Sequence, residues 1–224
     1  MASFSTSSRD IRSDQSTLLA FKAHVTDPHS VLTQNWSMSY PICSWVGISC
    51  SSRHHRVTAF NLSAIGLEGT IPPHLGNLSF LVYLDISDNN FYGHMPNELA
   101  QLRRLKFINF SNNKLSGSFP SWIGVLSKLQ RLSLSNNNFS GLIPDSLYNL
   151  SRFGNLHTLM LDSNKFTGRL PENIGNWSKL SFLYLGDNYL QVIPSTSDRP
   201  EHRSAIASTT PMLNQFVLKL KRPA

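Results

Sequence analysis

The chain has 224 residues, of which 40% are hydrophobic and only 15% are charged, and its formal net charge is +7. This length is enough to bury a core within one domain, whereas no apolar run reaches the roughly 18 to 20 residues that a membrane span requires. The basic residues are scattered from Arg9 to Arg222 without a stripe or a nucleic-acid-reading module, so we do not expect a nucleic-acid partner.

The N-terminal residues predict a polar arm followed by a helix. Residues 1–13 are rich in Ser and lack the apolar segment of a secretory signal, and we expect this arm to be disordered. Ser13 or Asp14 is expected to cap a helix that runs to about Val25. The apolar face of that helix would cover the open end of the structure that follows.

Residues 57–194 consist of six copies of one unit, and successive units are mostly 24 residues apart. After a degenerate first copy from Val57, the units start at Leu81, Leu105, Leu129, Leu156 and Leu180. Each unit opens with apolar residues at alternating positions, a pattern that predicts a strand with one buried face. One unit cannot bury this face alone, so the units must stack and form a parallel sheet along one side of a coil.

Two further features recur in the units at fixed positions. An Asn lies eight residues after the start of five units, and we expect this column to bond backbone groups of adjoining turns, because Asn both donates and accepts. A Gly follows four residues later and a Pro three residues after the Gly, as at Gly141 and Pro144. The predicted Asn ladder consists of Asn89, Asn113, Asn137, Asn164 and Asn188.

The pattern LxxLxLxxNxLxGxxPxxLxxLxx resembles the plant-type leucine-rich repeat, of which the GxIP segment is distinctive. Residues 14–56 resemble the N-terminal cap of plant leucine-rich-repeat receptor kinases and related secreted proteins. The residues that carry this second resemblance are Asp14, Leu18, Leu19, Phe21, Lys22, Trp36, Cys43, Trp45, Gly47 and Cys50. The resemblance implies an α/β solenoid, a right-handed coil with a short parallel sheet on its concave face and a helical N-terminal cap.

The resemblance also implies a disulfide between Cys43 and Cys50, and with it an extracellular or cell-surface location. Closing so short a loop stabilises the fold by roughly 2 to 3 kcal/mol in the chain-entropy model. Seven N-x-S sequons agree with that location. The alternative for each Asn is an unmodified polar residue. The candidate glycosylation sites are Asn35, Asn61, Asn77, Asn109, Asn138, Asn149 and Asn176.

Catalytic signatures are missing from the sequence. It contains no HExxH or GxSxG segment and no kinase Gly-rich loop, HRD or DFG segment, so we expect no enzymatic activity, no cofactor and no metal. The full-length proteins that the chain resembles carry a kinase domain.

Function is therefore expected at the outward positions of the strands, where aromatic side chains lie beside polar groups and an Arg. The alternative is that these strand-favouring aromatics only pack on one another. The candidate ligand-binding residues of the concave face are Tyr83, Asp85, Phe107, Asn109, Arg131, Ser133, Phe182 and Tyr184.

Residues 195–224 have no repeat and no second cysteine pair, and we expect them to be a disordered tail. The segment FVLKLK is long enough for one strand, but we do not predict one. Together with the missing export signal, this tail indicates a fragment or an abbreviated relative of a longer ectodomain.

The leading hypothesis is a non-catalytic recognition module in signalling or defence, similar to the ligand-binding ectodomain of plant leucine-rich-repeat receptor kinases. Its expected partners are a protein or peptide ligand or a partner receptor ectodomain. The alternative is a secreted inhibitor of a cell-wall-degrading enzyme, of the polygalacturonase-inhibiting type. Such inhibitors carry more than six repeats, although a basic charge suits a pectin-rich wall. A cytosolic scaffold is a third possibility, favoured only by the missing signal.

Overall fold

The computed structural model describes residues 11–144, 155–169, 180–191 and the strand Val217–Lys219. Two α-helices precede the repeats, α1 (Ile11–His24) and α2 (Val31–Asn35). Short 3₁₀ helices span Ile42–Ser44, Pro73–Asn77, Asn97–Gln101 and Ser121–Val125. The strands are, in chain order, β1 (Ile48–Cys50), β2 (Val57–Asn61), β3 (Glu68–Gly69), β4 (Tyr83–Asp85), β5 (Asn90–Gly93), β6 (Phe107–Asn109), β7 (Lys114–Ser118), β8 (Arg131–Ser133), β9 (Asn138–Leu142), β10 (Thr158–Met160), β11 (Lys165–Arg169), β12 (Phe182–Tyr184), β13 (Tyr189–Gln191) and β14 (Val217–Lys219).

These strands form two sheets, one for each half of the repeating unit. The larger sheet has the order β1-β2-β4-β6-β8-β10-β12-β14, and the smaller has the order β13-β11-β9-β7-β5-β3. From β2 to β12 the larger sheet is parallel, and its register places equivalent residues of successive units side by side, as with Tyr83, Phe107 and Arg131. The predicted solenoid with a parallel sheet and a helical cap is confirmed.

The core lies between the two sheets and repeats with the units. In β4, β6, β8, β10 and β12 of the larger sheet the middle residue points inward and is buried, as are Leu84, Ile108 and Leu132. The second half of the unit contributes a row of phenylalanines, of which Phe139 and Phe166 stack with their ring centroids 6.3 Å apart. Burial of such rings is the main favourable contribution to folding.

The Asn ladder supplies the polar part of this interior. Asn137 Nδ2 donates to the carbonyl oxygens of Phe110, Leu134 and Ser135 at 2.9 to 3.1 Å, and its Oδ1 accepts from the N–H of Leu115 at 2.9 Å. These backbone groups lie where the chain turns inward and would otherwise be unpaired. The same arrangement recurs at Asn89, Asn113, Asn164 and Asn188.

The residue before each ladder Asn has left-handed backbone geometry, with φ between 50° and 57°. Asp and Asn tolerate this conformation better than other residues with a Cβ atom. The column is Asp88, Asn112, Asn136, Ser163 and Asp187, and Ala64, which precedes Ile65 in the first unit, has the same geometry. Backbone geometry therefore accounts for the abundance of Asp and Asn at this outward position.

The N-terminal cap differs from its prediction at its first turn. Helix α1 begins at Ile11 and ends at His24, so residues 11–13 are helical and the arm predicted over 1–13 is wrong at these positions. Asp14 does not cap the helix. It is fully buried and pairs with Arg56, whose Nη2 lies 2.6 Å from its Oδ1.

The rest of the cap closes the solenoid with aromatic packing. Trp36 stacks on Trp45 at 5.4 Å, and Phe21 of α1 meets Phe60 of β2 edge-on at 5.0 Å. Cys43 and Cys50 form a disulfide with their Cα atoms 5.5 Å apart. Strand β1, which ends at Cys50, runs antiparallel to β2 and forms the end of the larger sheet.

The other end of the larger sheet carries a second correction. Strand β14 pairs antiparallel with β12, so that Leu218 lies opposite Leu183. The prediction of a disordered tail over 195–224 is wrong at Val217–Lys219. Its remaining residues, like residues 1–10 of the predicted arm, lie outside the described residues.

Candidate ligand-binding surface

The concave face is built from the first and third residues of each short strand. In β4, Leu84 points into the core, while Tyr83 and Asp85 lie on the opposite face, because side chains alternate along a strand. Parallel register then aligns Tyr83 with Phe107 of β6 and with Arg131 of β8. The third positions align in the same way. The face thus carries two rows of side chains that run across the strands.

A shallow depression of about 260 Å³ lies where these rows cross the middle strands. Its lining consists of Tyr83, Asp85, Phe107, Ile108, Asn109, Ser111, Arg131, Ser133 and Met160. Six of the eight predicted ligand-binding residues are therefore brought together. Ile108, Ser111 and Met160 belong to the lining but were not among the predicted residues. Ile108 is a core residue of β6 and Ser111 lies beyond the end of that strand, whereas Met160 lies at an outward position but is neither aromatic nor polar.

Asp85 is the organising group of the depression. Its Oδ1 accepts from the backbone N–H and the hydroxyl of Ser87 at 2.9 and 2.7 Å. Its Oδ2 accepts from Tyr83 Oη at 3.0 Å and from Asn109 Nδ2 at 3.2 Å. The side chain is only 6% exposed. The carboxylate of Asp85 is therefore not exposed as expected, because internal donors already satisfy it, whereas its contact with a ligand stays a prediction.

Ser133 is a second residue whose expected exposure is wrong. It is only 5% exposed, and its hydroxyl hydrogen-bonds the hydroxyl of Ser111 at 2.5 Å. Ser111 N–H in turn donates to Asn109 Oδ1 at 3.3 Å. These side chains form the polar floor of the depression and hold one another in place.

The phenol of Tyr83 is kept protonated by its surroundings. Burial raises the pKa of Tyr83 above its ordinary value of 10.0, and the hydrogen bond to Asp85 and the negative charge of Asp85 raise it further, whereas Arg131 acts in the opposite direction. The Tyr83 hydroxyl therefore remains a donor committed to Asp85. The hydroxyl of Tyr83 is therefore not a free donor in the depression.

The groups left for a ligand are an apolar wall and one cation. The rings of Tyr83 and Phe107 are half-buried, with centroids 5.9 Å apart and tilted by 43°. Met160 is half-buried on β10. Arg131 is exposed and makes no ion pair within the described ranges. This combination suits an anionic group that adjoins an apolar one.

The last two predicted residues lie apart from the depression. Phe182 and Tyr184 are on β12, the strand after β10, with Phe182 39% exposed and Tyr184 half-buried. They do not line the depression. On the far side of β12 the backbone of β14 borders them.

The predicted glycosylation sites differ in accessibility. Asn61, Asn77 and Asn138 are exposed, whereas Asn35 and Asn109 are half-buried, and Asn35 Oδ1 accepts from the N–H of Val46. Asn149 and Asn176 lie outside the described residues.

The described ranges contain neither a cluster of metal-binding side chains nor a helix that could span a membrane. Nowhere in them do three His, Cys, Asp or Glu side chains group closely enough to hold a metal ion. Within the same ranges, no helix combines the length and the apolar composition needed to cross a bilayer.

Family models match the chain in the cap and in the repeats. Residues 11–51 match the model of the leucine rich repeat N-terminal domain. The leucine rich repeat model matches four segments, residues 80–102, 104–126, 128–150 and 155–177.

Curated relatives are much longer than this chain. A putative receptor-like protein kinase of Arabidopsis thaliana is 42% identical over 80 residues, which cover 36% of this chain and 8% of that protein. The match therefore spans less than a tenth of that relative.

Solved structures of plant receptor ectodomains are similar to this chain over about four fifths of its length. The ectodomain of the Arabidopsis thaliana receptor kinase GASSHO1/SCHENGEN3, in complex with CASPARIAN STRIP INTEGRITY FACTOR 2, is 37% identical with a TM-score of 0.71, over 78% of this chain and 21% of that chain. A chain of the BIR3–SERK2 complex, also from Arabidopsis thaliana, is 31% identical with a TM-score of 0.70, over 81% of this chain and 96% of that chain.

Proposed function

Because the chain belongs to the plant leucine-rich-repeat family that includes receptor-kinase ectodomains, we propose that it is a non-catalytic recognition module whose concave face binds a peptide or a partner ectodomain. The observation that carries this proposal is the depression around Tyr83, Phe107 and Arg131. It combines half-buried aromatic rings with a cation that has no internal counter-ion among the described residues, and such groups are typical anchors of binding surfaces.

Two related structures support the class of partner. The GASSHO1/SCHENGEN3 ectodomain is bound to CASPARIAN STRIP INTEGRITY FACTOR 2, and BIR3 is bound to SERK2. The depression of this chain runs across strands β4 to β10, so an extended segment can lie along it. We propose that the segment carries a carboxylate next to an apolar side chain, the carboxylate pairing with Arg131 and the apolar group packing on Phe107 and Met160.

The proposed recognition role includes no catalysed reaction. The matched segments are the cap and the repeats, and the polar groups of the depression bond to one another rather than forming a nucleophile with its base. We propose that catalysis, where a longer relative performs it, is supplied outside these segments.

An extracellular setting is also part of the proposal. It is supported by the disulfide between Cys43 and Cys50, because such bonds persist in oxidising compartments. Labelling of thiols in protein taken from its native host is expected to leave both cysteines unmodified until a reductant is added. Free thiols on both would contradict the extracellular setting.

The binding proposal is tested with a displayed library of linear peptides selected on the whole chain. We expect the enriched peptides to carry an acidic residue or a free C-terminus beside an apolar residue. Arg131→Ala is expected to weaken their binding by about tenfold, the loss of one charge-assisted contact. Arg169→Ala is the matched control, since Arg169 is an exposed Arg on β11 of the smaller sheet.

Two results would count against the proposal. An equal loss of affinity in both variants would show that binding depends on net charge rather than on contacts in the depression. Enrichment of peptides without any acidic group, bound equally well by Arg131→Ala, would remove Arg131 from the site.

A further inference from the structure

A row of basic side chains borders the larger sheet on the side where its parallel strands begin. Arg104 and Lys128 occupy equivalent positions, three residues before β6 and β8, while Lys106 and His157 directly precede β6 and β10. His54 joins them through a shared contact with Phe80. We call this surface the basic edge, and all of its members are exposed: His54, Arg104, Lys106, Lys128 and His157.

Backbone hydrogen bonds fix the spacing of the basic edge. Gln130 N–H donates to the carbonyl of Lys106 at 2.8 Å, and His157 N–H donates to the carbonyl of Gln130 at 2.8 Å. Residues 106, 130 and 157 therefore follow one another at the separation of adjacent strands, about 4.8 Å. Lys106 and His157 thus lie in one row across the strands with Gln130 between them, and Arg104 and Lys128 lie two residues before this row in sequence.

One member of the basic edge is held in a defined orientation. The guanidinium of Arg104 lies over the ring of Phe80 at 4.0 Å from its centroid, and the ring of His54 lies 5.6 Å from the same ring. A guanidinium stacked on an aromatic face keeps its N–H edges available to an anion. No described carboxylate lies within ion-pair distance of Arg104, Lys106 or Lys128.

The two borders of the larger sheet differ in charge. Where the strands end, the chain carries Asp88, Asp162 and Asp187. Where they begin, the described residues that precede β4, β6, β8, β10 and β12, namely 79–82, 103–106, 127–130, 155–157 and 180–181, include no acidic side chain. An anion that approaches the sheet is therefore attracted to the basic edge and repelled from the opposite border.

The basic edge lacks the features by which proteins and peptides usually dock. None of the large hydrophobic side chains that are exposed in the described part belongs to it, and protein interfaces need an apolar centre. The backbone N–H groups of Lys106, Gln130 and His157 are already bonded within the sheet, so a peptide cannot add to it as a strand. The partner that fits is hydrophilic, linear and repeatedly anionic.

From these observations we propose that the basic edge binds a linear carboxylated polysaccharide laid across the strands. Carboxylates repeating along the polymer pair with Lys106, Lys128 and the guanidinium edge of Arg104. This surface is separate from the depression on the concave face, so the two binding proposals stand or fall independently.

The test uses the whole chain and a fluorescently labelled oligogalacturonate, with binding followed by anisotropy. We expect the double substitution Lys106→Gln and Lys128→Gln to weaken binding by about tenfold, since it removes two exposed ion pairs that are each weak alone. Binding by the unaltered chain is expected to weaken as salt rises, because salt screens exposed charges. The matched control is Lys114→Gln with Lys165→Gln, which removes two exposed charges from β7 and β11 of the smaller sheet.

Each remaining outcome overturns the proposal. Equal weakening in the two double variants would show attraction by net charge alone, and absence of binding by the unaltered chain would leave the basic edge without this ligand. Binding of poly-glutamate of matched charge as tightly as the oligogalacturonate would assign the edge to an acidic polypeptide instead. The four substitutions are at exposed sites, so an unchanged unfolding temperature checks that each variant is folded.

Discussion

The side-chain amide of Asn137 joins the backbone of successive turns. Its contribution to stability follows from the buried backbone groups that would be unpaired without it. Substitution by Ala deprives the carbonyl of Phe110 and the N–H of Leu115 of their partner in the interior. Unsatisfied buried backbone groups each cost about 1 to 3 kcal/mol. The ladder is therefore a structural device at the scale of single residues.

We accordingly expect Asn137→Ala to lower the free energy of unfolding by about 3 kcal/mol, measured by urea denaturation, because at least two buried backbone groups lose their partner. Asn138→Ala is the control at the adjacent position. Asn138 is exposed, and its substitution is expected to change stability by no more than about 0.5 kcal/mol. Similar losses in the two variants would contradict the assigned role of the ladder.

Tyr83 gives a prediction about pH. Burial, the hydrogen bond to Asp85 and the charge of Asp85 raise its pKa in the folded state, so the folded protein holds the phenolic proton more tightly than the unfolded chain. The resulting stabilisation is present below pH about 10 and is lost as the pH rises through the raised pKa. Tyr83→Phe should lose less stability over that interval than the unaltered chain, as measured by urea denaturation between pH 9 and 11. Identical slopes would contradict this coupling.

The sequence periodicity predicted which residues lie at the depression, but not which of them are exposed. Alternation correctly placed Tyr83, Phe107 and Arg131 on the concave face. It placed Asp85 and Ser133 there too, yet both are buried. The strands are only three residues long, so their last residue adjoins the following turn, where serine hydroxyls and amides bond it. Such contacts between turns do not appear in the spacing of a single unit.

At the scale of elements, the cap is fastened to the repeats by a buried ion pair. Asp14 of α1 accepts from Arg56 Nε at 2.8 Å and from the N–H of Val57 at 2.9 Å. Neither side chain is more than 5% exposed. Removal of one partner would leave the other charge buried without compensation.

We expect Asp14→Ala to destabilise the protein by about 3 to 5 kcal/mol, the usual cost of breaking a buried pair from one side. Hydrogen exchange should then rise first in α1. Glu98→Ala removes an exposed carboxylate and is expected to have little effect. If Asp14→Ala lowers the free energy of unfolding by less than about 1 kcal/mol, the Asp14–Arg56 pair contributes no more than an exposed salt bridge does.

The extent of α1 was harder to predict than its existence. The apolar residues on one face predicted the helix, but Asp14 resembles a capping residue when only its neighbours in sequence are considered. Its true partner, Arg56, is 42 residues away in sequence. The first turn, from Ile11, therefore became part of the predicted arm.

At the scale of the whole molecule, the fold was predictable because its information is local and repeated. Each unit of a solenoid contacts only its neighbours, so Leu, Asn, Gly and Pro positions that recur every 24 residues specify the complete coil. The two ends do not repeat, and they are closed by different means. At one end β1 and the helices cover the core, whereas at the other β14 joins the sheet in the antiparallel sense.

The closure by β14 can be tested through its backbone. An uncovered strand presents unpaired N–H and C=O groups, which promote exchange and association with other chains. Leu218→Pro removes a backbone donor from the middle of β14 and restricts its conformation. We expect hydrogen exchange to rise in β12, which pairs with β14, while β4, which is separated from β12 by three other strands of the sheet, keeps its protection. The control is Leu218→Val, which retains the N–H and favours strand geometry. Unchanged exchange in β12 would mean that β14 contributes nothing to closing the solenoid, whereas increased exchange in β4 as well would indicate general destabilisation.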